Sequence, residues 1–197
     1  MRQETVTRNI YQYDELSDDA RERARNWYRD GLAADYPWAS ENRESLEAFC
    51  DRFPIKAEDW EYDAWSSSIT PSFYGDDTLR ELSGYKLANY LTSALCRVWF
   101  TEPKRYTKNG KTRRSKILRQ DTCCPFTGYY MDEVLLQPLR DFIKKPDSRT
   151  YEELLGDCLD EWVKACQTDC AWLNSDENVE DSIRANEYEF LENGEPA

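Results

Sequence analysis

Three sets of residues in this 197-residue chain have types and spacings that could do chemistry, and each points to a different chemistry. The first is a row of acids, Asp59, Glu61 and Asp63, preceded by Glu58. Residues two apart on a strand share a face and lie about 6.5–7 Å from each other, close to the repeat of phosphates along one nucleic-acid strand. Such a row is either a solvated face or a decoy for an enzyme that grips DNA or RNA. The second set is basic: Lys104, Arg105, Lys108, Lys111, Arg113, Arg114, Lys116 and Arg119, with no acid among residues 104–119. It suits a polyanion or an acidic protein patch. Tyr106 is its one stacking surface, so the aromatic interleaving of single-strand binders is missing. The third is Asp76 or Asp77 followed by Glu102-Pro103-Lys104, a loose version of the acid…acid-x-Lys site of Mg-dependent nucleases. Pro103 suits a central strand poorly, and a pattern this short arises by chance.

What the sequence lacks narrows the chemistry further. It contains no histidine, which excludes a Ser or Cys triad of the usual kind. The seven cysteines are Cys50, Cys96, Cys123, Cys124, Cys158, Cys166 and Cys170, and no two are spaced Cys-x-x-Cys. A structural zinc site would need four thiolates at an unfamiliar spacing. Cys166 and Cys170, one helical turn apart, read as core residues, and the adjacent Cys123-Cys124 as part of a loop. An odd cysteine count without an opening apolar segment of secretory type implies reduced thiols in a cytosol. No apolar run reaches membrane length. The expectation is a protein that is not an enzyme, takes no cofactor or metal, and works by binding.

Charge is unevenly spread. The net charge is −13, yet residues 104–119 carry +8 and the remainder −21, of which residues 147–197 hold −12. An acidic body thus bears one short, strongly basic segment.

The elements that would position these groups are legible in the periodicity. Residues 4–13 are β-branched and aromatic and read as a strand. Ser17 caps a helix in which Ala20, Ala24, Trp27, Tyr28 and Gly31 recur at helical spacing. A second helix after Ser40 places Leu46, Phe49, Cys50 and Phe53 on one face and stops at Pro54. Over residues 58–65, Trp60, Tyr62 and Ala64 alternate with the acids, the period of a half-buried strand, and residues 66–73 return as its partner. Thr78 with Glu81 fits a capping box, ahead of a helix with Leu87, Leu91, Ala94, Leu95 and Val98 on one face. Asn109-Gly110 predicts a hairpin turn in the basic segment, with residues 106–108 and 112–118 as arms. Residues 131–143 form a helix that Pro138 kinks or divides. Thr150 and Glu153 form a second capping box, opening a helix to Leu173 with Leu155, Leu159, Trp162 and Cys166 inward. Ser175 caps a last helix with Val179 and Ile183, and residues 188–191 close as a strand paired with the first. The predicted class is α+β: one mostly helical domain over residues 1–197, its helices packed on a small, mainly antiparallel sheet, with a basic hairpin inserted at 104–119.

Several stretches carry a resemblance. Tyr11-Gln12-Tyr13-Asp14-Glu15-Leu16-Ser17-Asp18-Asp19-Ala20, continuing to Ala24-Arg25-Asn26-Trp27-Tyr28, resembles the opening of a loosely defined family of small proteins from tailed phages and prophages. Cys124-Pro125-Phe126-Thr127-Gly128-Tyr129-Tyr130-Met131-Asp132 is similar to its central motif. Asp160-Glu161-Trp162-Val163-Lys164-Ala165-Cys166 and Ala185-Asn186-Glu187-Tyr188-Glu189-Phe190 resemble its closing segments. The resemblance implies a phage accessory protein in a bacterial host cytosol and supplies no catalytic residue; some members carry an antitoxin-like label.

Together these readings predict a non-catalytic, phage-encoded inhibitor of a bacterial defence complex, of anti-CRISPR or antirestriction type, acting by occluding a nucleic-acid site. Its partner-binding residues would be Asp59, Glu61, Asp63, Lys111, Arg113, Arg114 and Lys116. The alternatives are an antitoxin-like neutraliser of a toxin, and binding of nucleic acid or a nucleotide through the basic hairpin.

Overall fold

The structure is a computed structural model that describes residues 7–99, 105–114 and 124–197, with side chains for 7–93, 106–113 and 124–197. In chain order the elements are β1 (Tyr11–Gln12), α1 (Asp18–Ala34), α2 (Ala39–Arg52), β2 (Ile55–Tyr62) and β3 (Ser67–Phe73). There follow α3 (Asp77–Arg80), α4 (Gly84–Trp99), β4 (Arg105–Lys108) and β5 (Lys111–Arg114). The order ends with α5 (Tyr130–Lys144), α6 (Tyr151–Leu173), α7 (Asp176–Ala185) and β6 (Glu189–Phe190). The class is α+β and mostly helical; its described strands form three separate antiparallel two-stranded ribbons, β1–β6, β2–β3 and β4–β5. Two compact units emerge, one of Met1–Trp38 with Thr168–Ala197 and one of Ala39–Gln167.

In the first unit, Ser17 Oγ accepts from the Ala20 backbone N–H and starts α1, as its residue type predicts. Ser175 does the same for α7, accepting from Asn178 N at 3.3 Å. Ala20 and Ala24 of α1 meet Val179 and Ile183 of α7 in a small core closed by Tyr13, Leu16 and Phe190. Of the strand expected over residues 4–13, residues 4–6 lie outside the described residues and residues 7–10 are not in a strand. The strand lasts two residues, Tyr11 opposite Phe190 and Gln12 opposite Glu189, before a single 3₁₀ turn over Tyr13–Glu15. The cause is local: Glu15 accepts from Gln12 N, and Arg21 reaches back from α1 to the carbonyls of Tyr13 and Asp14. These bonds turn the chain directly after Gln12, where the ladder ends.

The second unit holds the larger core. Leu46 and Phe49 of α2, Leu87 and Leu91 of α4, Leu135, Leu139 and Phe142 of α5, and Leu155, Leu159 and Trp162 of α6 form one buried cluster. The Thr150–Glu153 capping box is present, with Glu153 N donating to Thr150 Oγ1 and Thr150 N to Glu153 Oε2. The Thr78–Glu81 box is not. Asp76 is the N-cap instead, accepting from Thr78 N at 2.7 Å, and Glu81 ends the four-residue α3. An Asp one residue before the helix outcompetes a Thr inside it for the free N–H groups. Pro138 lies inside α5, which continues as one helix. The hydrogen bond that Pro cannot donate is offset by burial of Leu135, Leu136, Leu139 and Phe142, each fully enclosed.

Candidate interaction surfaces

The acidic row sits on the β2–β3 ribbon, and the aromatic residues that alternate with it decide which way it faces. From Ile55 to Ala57 the odd-numbered residues of β2 point inward; beyond an irregularity between Ala57 and Asp59 the inward residues are Trp60 and Tyr62. Glu58 is therefore a bulge, the extra residue that reverses the parity of the strand. Trp60 packs edge-on against Trp162 at 5.2 Å between ring centroids, and Tyr62 does so at 5.9 Å. Trp162 is itself fully buried and donates its indole N–H to the Asn42 carbonyl at 3.1 Å. With the indole and phenol fixed inward, Asp59 and Glu61 are exposed on the outer face opposite Thr70 and Ser68, and Glu61 accepts from Ser68 Oγ at 3.5 Å.

Asp63 does not extend this row. The strand ends at Tyr62, and the Asp63 carboxylate accepts from the backbone N–H groups of Trp65 (2.6 Å) and Ser66 (2.7 Å), folding the turn around itself. Those bonds, Trp65's first, hold its carboxyl below the usual carboxylate range. An Asp that opens a turn prefers its own backbone to a partner. The outcome is a pinned turn carrying Trp65, the most exposed large hydrophobic side chain described, at 83%.

The basic segment forms the β4–β5 ribbon. Asn109 and Gly110 have φ of 55° and 71°, the left-handed pair that a two-residue hairpin turn requires. Thr107 pairs with Thr112, Tyr106 with Arg113, and Lys108 stands directly opposite Lys111. Tyr106, Lys108, Lys111 and Arg113 share one face by strand parity, and all four are exposed. Arg114 ends β5, where its backbone pairs with that of Arg105; Lys116 lies outside the described residues.

The remaining candidates have structural explanations. Asp76 is occupied as a helix cap, and Glu102-Pro103-Lys104 falls outside the described residues. Cys158 and Cys166 are fully enclosed and Cys170 is buried, and burial pushes the Cys158 thiol well above its ordinary range. The motif at residues 124–132 is a self-contained cap for α5. The enclosed Asp132 carboxylate accepts from the N–H groups of Phe126 (2.9 Å), Thr127 (2.7 Å) and Gly128 (3.2 Å) and from Thr127 Oγ1 (2.8 Å). Among the described residues, no group of three or more His, Cys, Asp or Glu is placed to hold a metal, and no helix is long and apolar enough to cross a membrane.

Two features escaped the sequence reading. Trp65 continues an apparent alternation and hides as one more strand residue; its signal is Asp63, a turn former two positions earlier. The Glu58 bulge leaves its signal just upstream of the alternation at residues 58–65, where the apolar residues stand at odd positions, Ile55 and Ala57, before Trp60 and Tyr62 take even ones. The surfaces on the page are thus one acidic ribbon face ending in an exposed indole, and one basic ribbon face. No protein-family model, curated protein or solved structure matches the chain, so these two ribbons carry the functional reading by their own chemistry.

Proposed function

We propose that the protein is a non-catalytic inhibitor, encoded by a phage and acting in the bacterial host cytosol, that binds a defence complex of CRISPR or restriction type. The observation that carries this reading is the exposed basic ribbon, with Lys108 opposite Lys111, on a chain whose residues outside 104–119 sum to −21. Like charges directly opposite each other destabilise a hairpin, so the ribbon's charge serves a partner and not the hairpin itself. A long polyanion is a poor fit, because the acidic body repels the phosphates flanking the contact. An acidic groove of limited extent on a protein suits it better. The ribbon is the anchor in this reading, and the acidic face of Asp59 and Glu61 meets basic groups that otherwise hold nucleic acid.

The test is phage plating on bacteria that each carry one defence system, with and without this protein. Plating should rise for one system. Replacing Lys111, Arg113, Arg114 and Lys116 together by Gln should remove that rise while the melting temperature stays nearly constant, since exposed charges contribute little to stability. Neutralisation of a lone toxin, with no effect on any defence system, would turn the reading to an antitoxin. Tight nucleic-acid binding by the isolated protein, with a log–log salt slope of roughly 0.7–0.9 per phosphate neutralised, would replace the protein partner by nucleic acid.

A further inference from the structure

The Ala39–Gln167 unit carries both ribbons, and their exposed faces are complementary in sign and in repeat. On β2, Asp59 and Glu61 stand two residues apart and outward; on β5, Lys111 and Arg113 stand two residues apart and outward. Two strands with the same residue interval present charges at the same spacing, so each carboxylate of one can meet a cation of the other without stretching. Between the acids the outer face holds only Ser68 and Thr70, short side chains that allow a flat approach. The basic face has a reason to seek such a surface: Lys108 opposes Lys111 across the hairpin, and a counter-charge laid over the pair relieves that repulsion. At the end of the acidic ribbon, Trp65 offers an exposed indole to a lysine or arginine, on a turn already fixed by Asp63.

We propose that the β4–β5 ribbon of one copy of this chain docks on the outer face of the β2–β3 ribbon of a second copy, and that the contact forms twice in a closed two-fold pair. A one-sided contact would leave an unused ribbon at each end and grow without limit, whereas reciprocal exchange closes the assembly. The net charge of −13 repels two copies at long range. At about 0.1 M salt that repulsion is screened beyond roughly 10 Å while the close pairs persist, and near 1 M salt the pairs themselves weaken. The pair would cover the basic ribbon, so an acidic partner must displace a second copy to reach it. This inference does not rest on the inhibitory function, since it uses only surfaces of the chain itself.

Sedimentation of the nuclease-treated full-length protein tests it through a charge exchange. The wild type should sediment as a dimer at moderate salt and shift toward monomer at high salt. The Asp59→Lys, Glu61→Lys variant carries two basic faces, and the Lys111→Glu, Arg113→Glu variant carries two acidic ones; each alone should be monomeric. Mixed in equal amounts they should form a heterodimer, because both contacts are restored with signs reversed in one. Trp65→Ala, which leaves every charge in place, should weaken dimerisation roughly ten-fold, as loss of an interfacial aromatic anchor does. Circular dichroism on each variant confirms that it is folded. A wild type that stays monomeric at moderate salt at every attainable concentration would overturn the proposal, as would folded variants that remain dimeric alone or fail to associate when mixed. A dimer that affects no defence system would keep this inference and remove the inhibitory function, and a monomer that blocks one would do the reverse.

Discussion

At Gly194 the backbone has φ +85°, and a β-carbon there would lie 2.2 Å from the carbonyl oxygen of Ala20 in α1. Both the left-handed conformation and the close approach require glycine. Gly194→Ala should cost on the order of 2–4 kcal/mol, read as a fall in the urea midpoint at unchanged slope. Asp132 is the matching polar case. Its carboxylate, itself fully buried, satisfies three backbone N–H groups and one hydroxyl, so Asp132→Ala takes the acceptor from four part-buried donors at once. A loss of about 3 kcal/mol or more is expected in the same measurement, and a change below 1 kcal/mol would contradict the role given to it here. Trp65 is the opposite kind of residue. At 83% exposure its replacement by Ala should move stability by less than about 0.5 kcal/mol, so any loss of association in that variant reports on binding and not on folding.

The helix pair α1 and α7 is joined by a network of charges whose response to acid can be stated in advance. Arg25 bridges Glu22 and Glu180, and Arg184 bridges Glu180 and Asp14. The hydrogen bond from Arg25 holds Glu22 below its ordinary range. Burial raises Glu180, but hydrogen bonds from Arg25, Tyr13 and Arg184 leave it lowered overall. A carboxyl depressed in the folded state adds stability above its unfolded pKa and loses it as pH falls through the folded value. Stability should therefore drop from about pH 5 downward, and Glu180→Gln should flatten part of that fall in denaturation series at stepped pH. The β2–β3 ribbon gives a harder test. Deleting Glu58 removes the one unpaired residue and leaves Ile55, Ala57, Trp60 and Tyr62 in unbroken alternation on the inner face, so stability should change by less than about 1 kcal/mol, whereas Trp60→Ala, which empties that face beside Trp162, should cost on the order of 2 kcal/mol or more. Elements defined by a cap and a period were legible in the sequence: Ser17, Ser175 and Thr150 begin their helices as their types require, and Asn109-Gly110 makes its turn. What was not legible depends on competition between near neighbours. Asp76 displaces Thr78 as a cap, Arg21 holds the turn that ends the opening strand at Gln12, and Asp63 leaves the acidic row for its own turn. Each outcome is decided by a hydrogen bond that composition and periodicity do not register. Of the candidate surface, the basic hairpin and the outward placement of Asp59 and Glu61 were readable, whereas the indole at the ribbon's end was not.

Across the whole molecule the charge is divided, with +8 on residues 104–119 against −21 elsewhere, and the histidine that most enzymes use for proton transfer is missing from the sequence. The purified protein is accordingly expected to leave DNA and RNA uncut in the presence of Mg²⁺. Cleavage that disappears on Glu102→Ala or Lys104→Ala would overturn the binding-protein reading. A different kind of tolerance follows from the bulge at Glu58. Substitutions at Asp59 or Glu61 erode the ribbon's outer face one charge at a time, and the strand survives each. Losing one codon just before them would remove only the unpaired residue, and the ladder would close with the carboxylates still outward and Trp60 still against Trp162. Descendants of this gene should therefore tolerate changes of letter on the outer face and also the loss of one codon at the bulge, a pattern that sequencing close relatives would reveal.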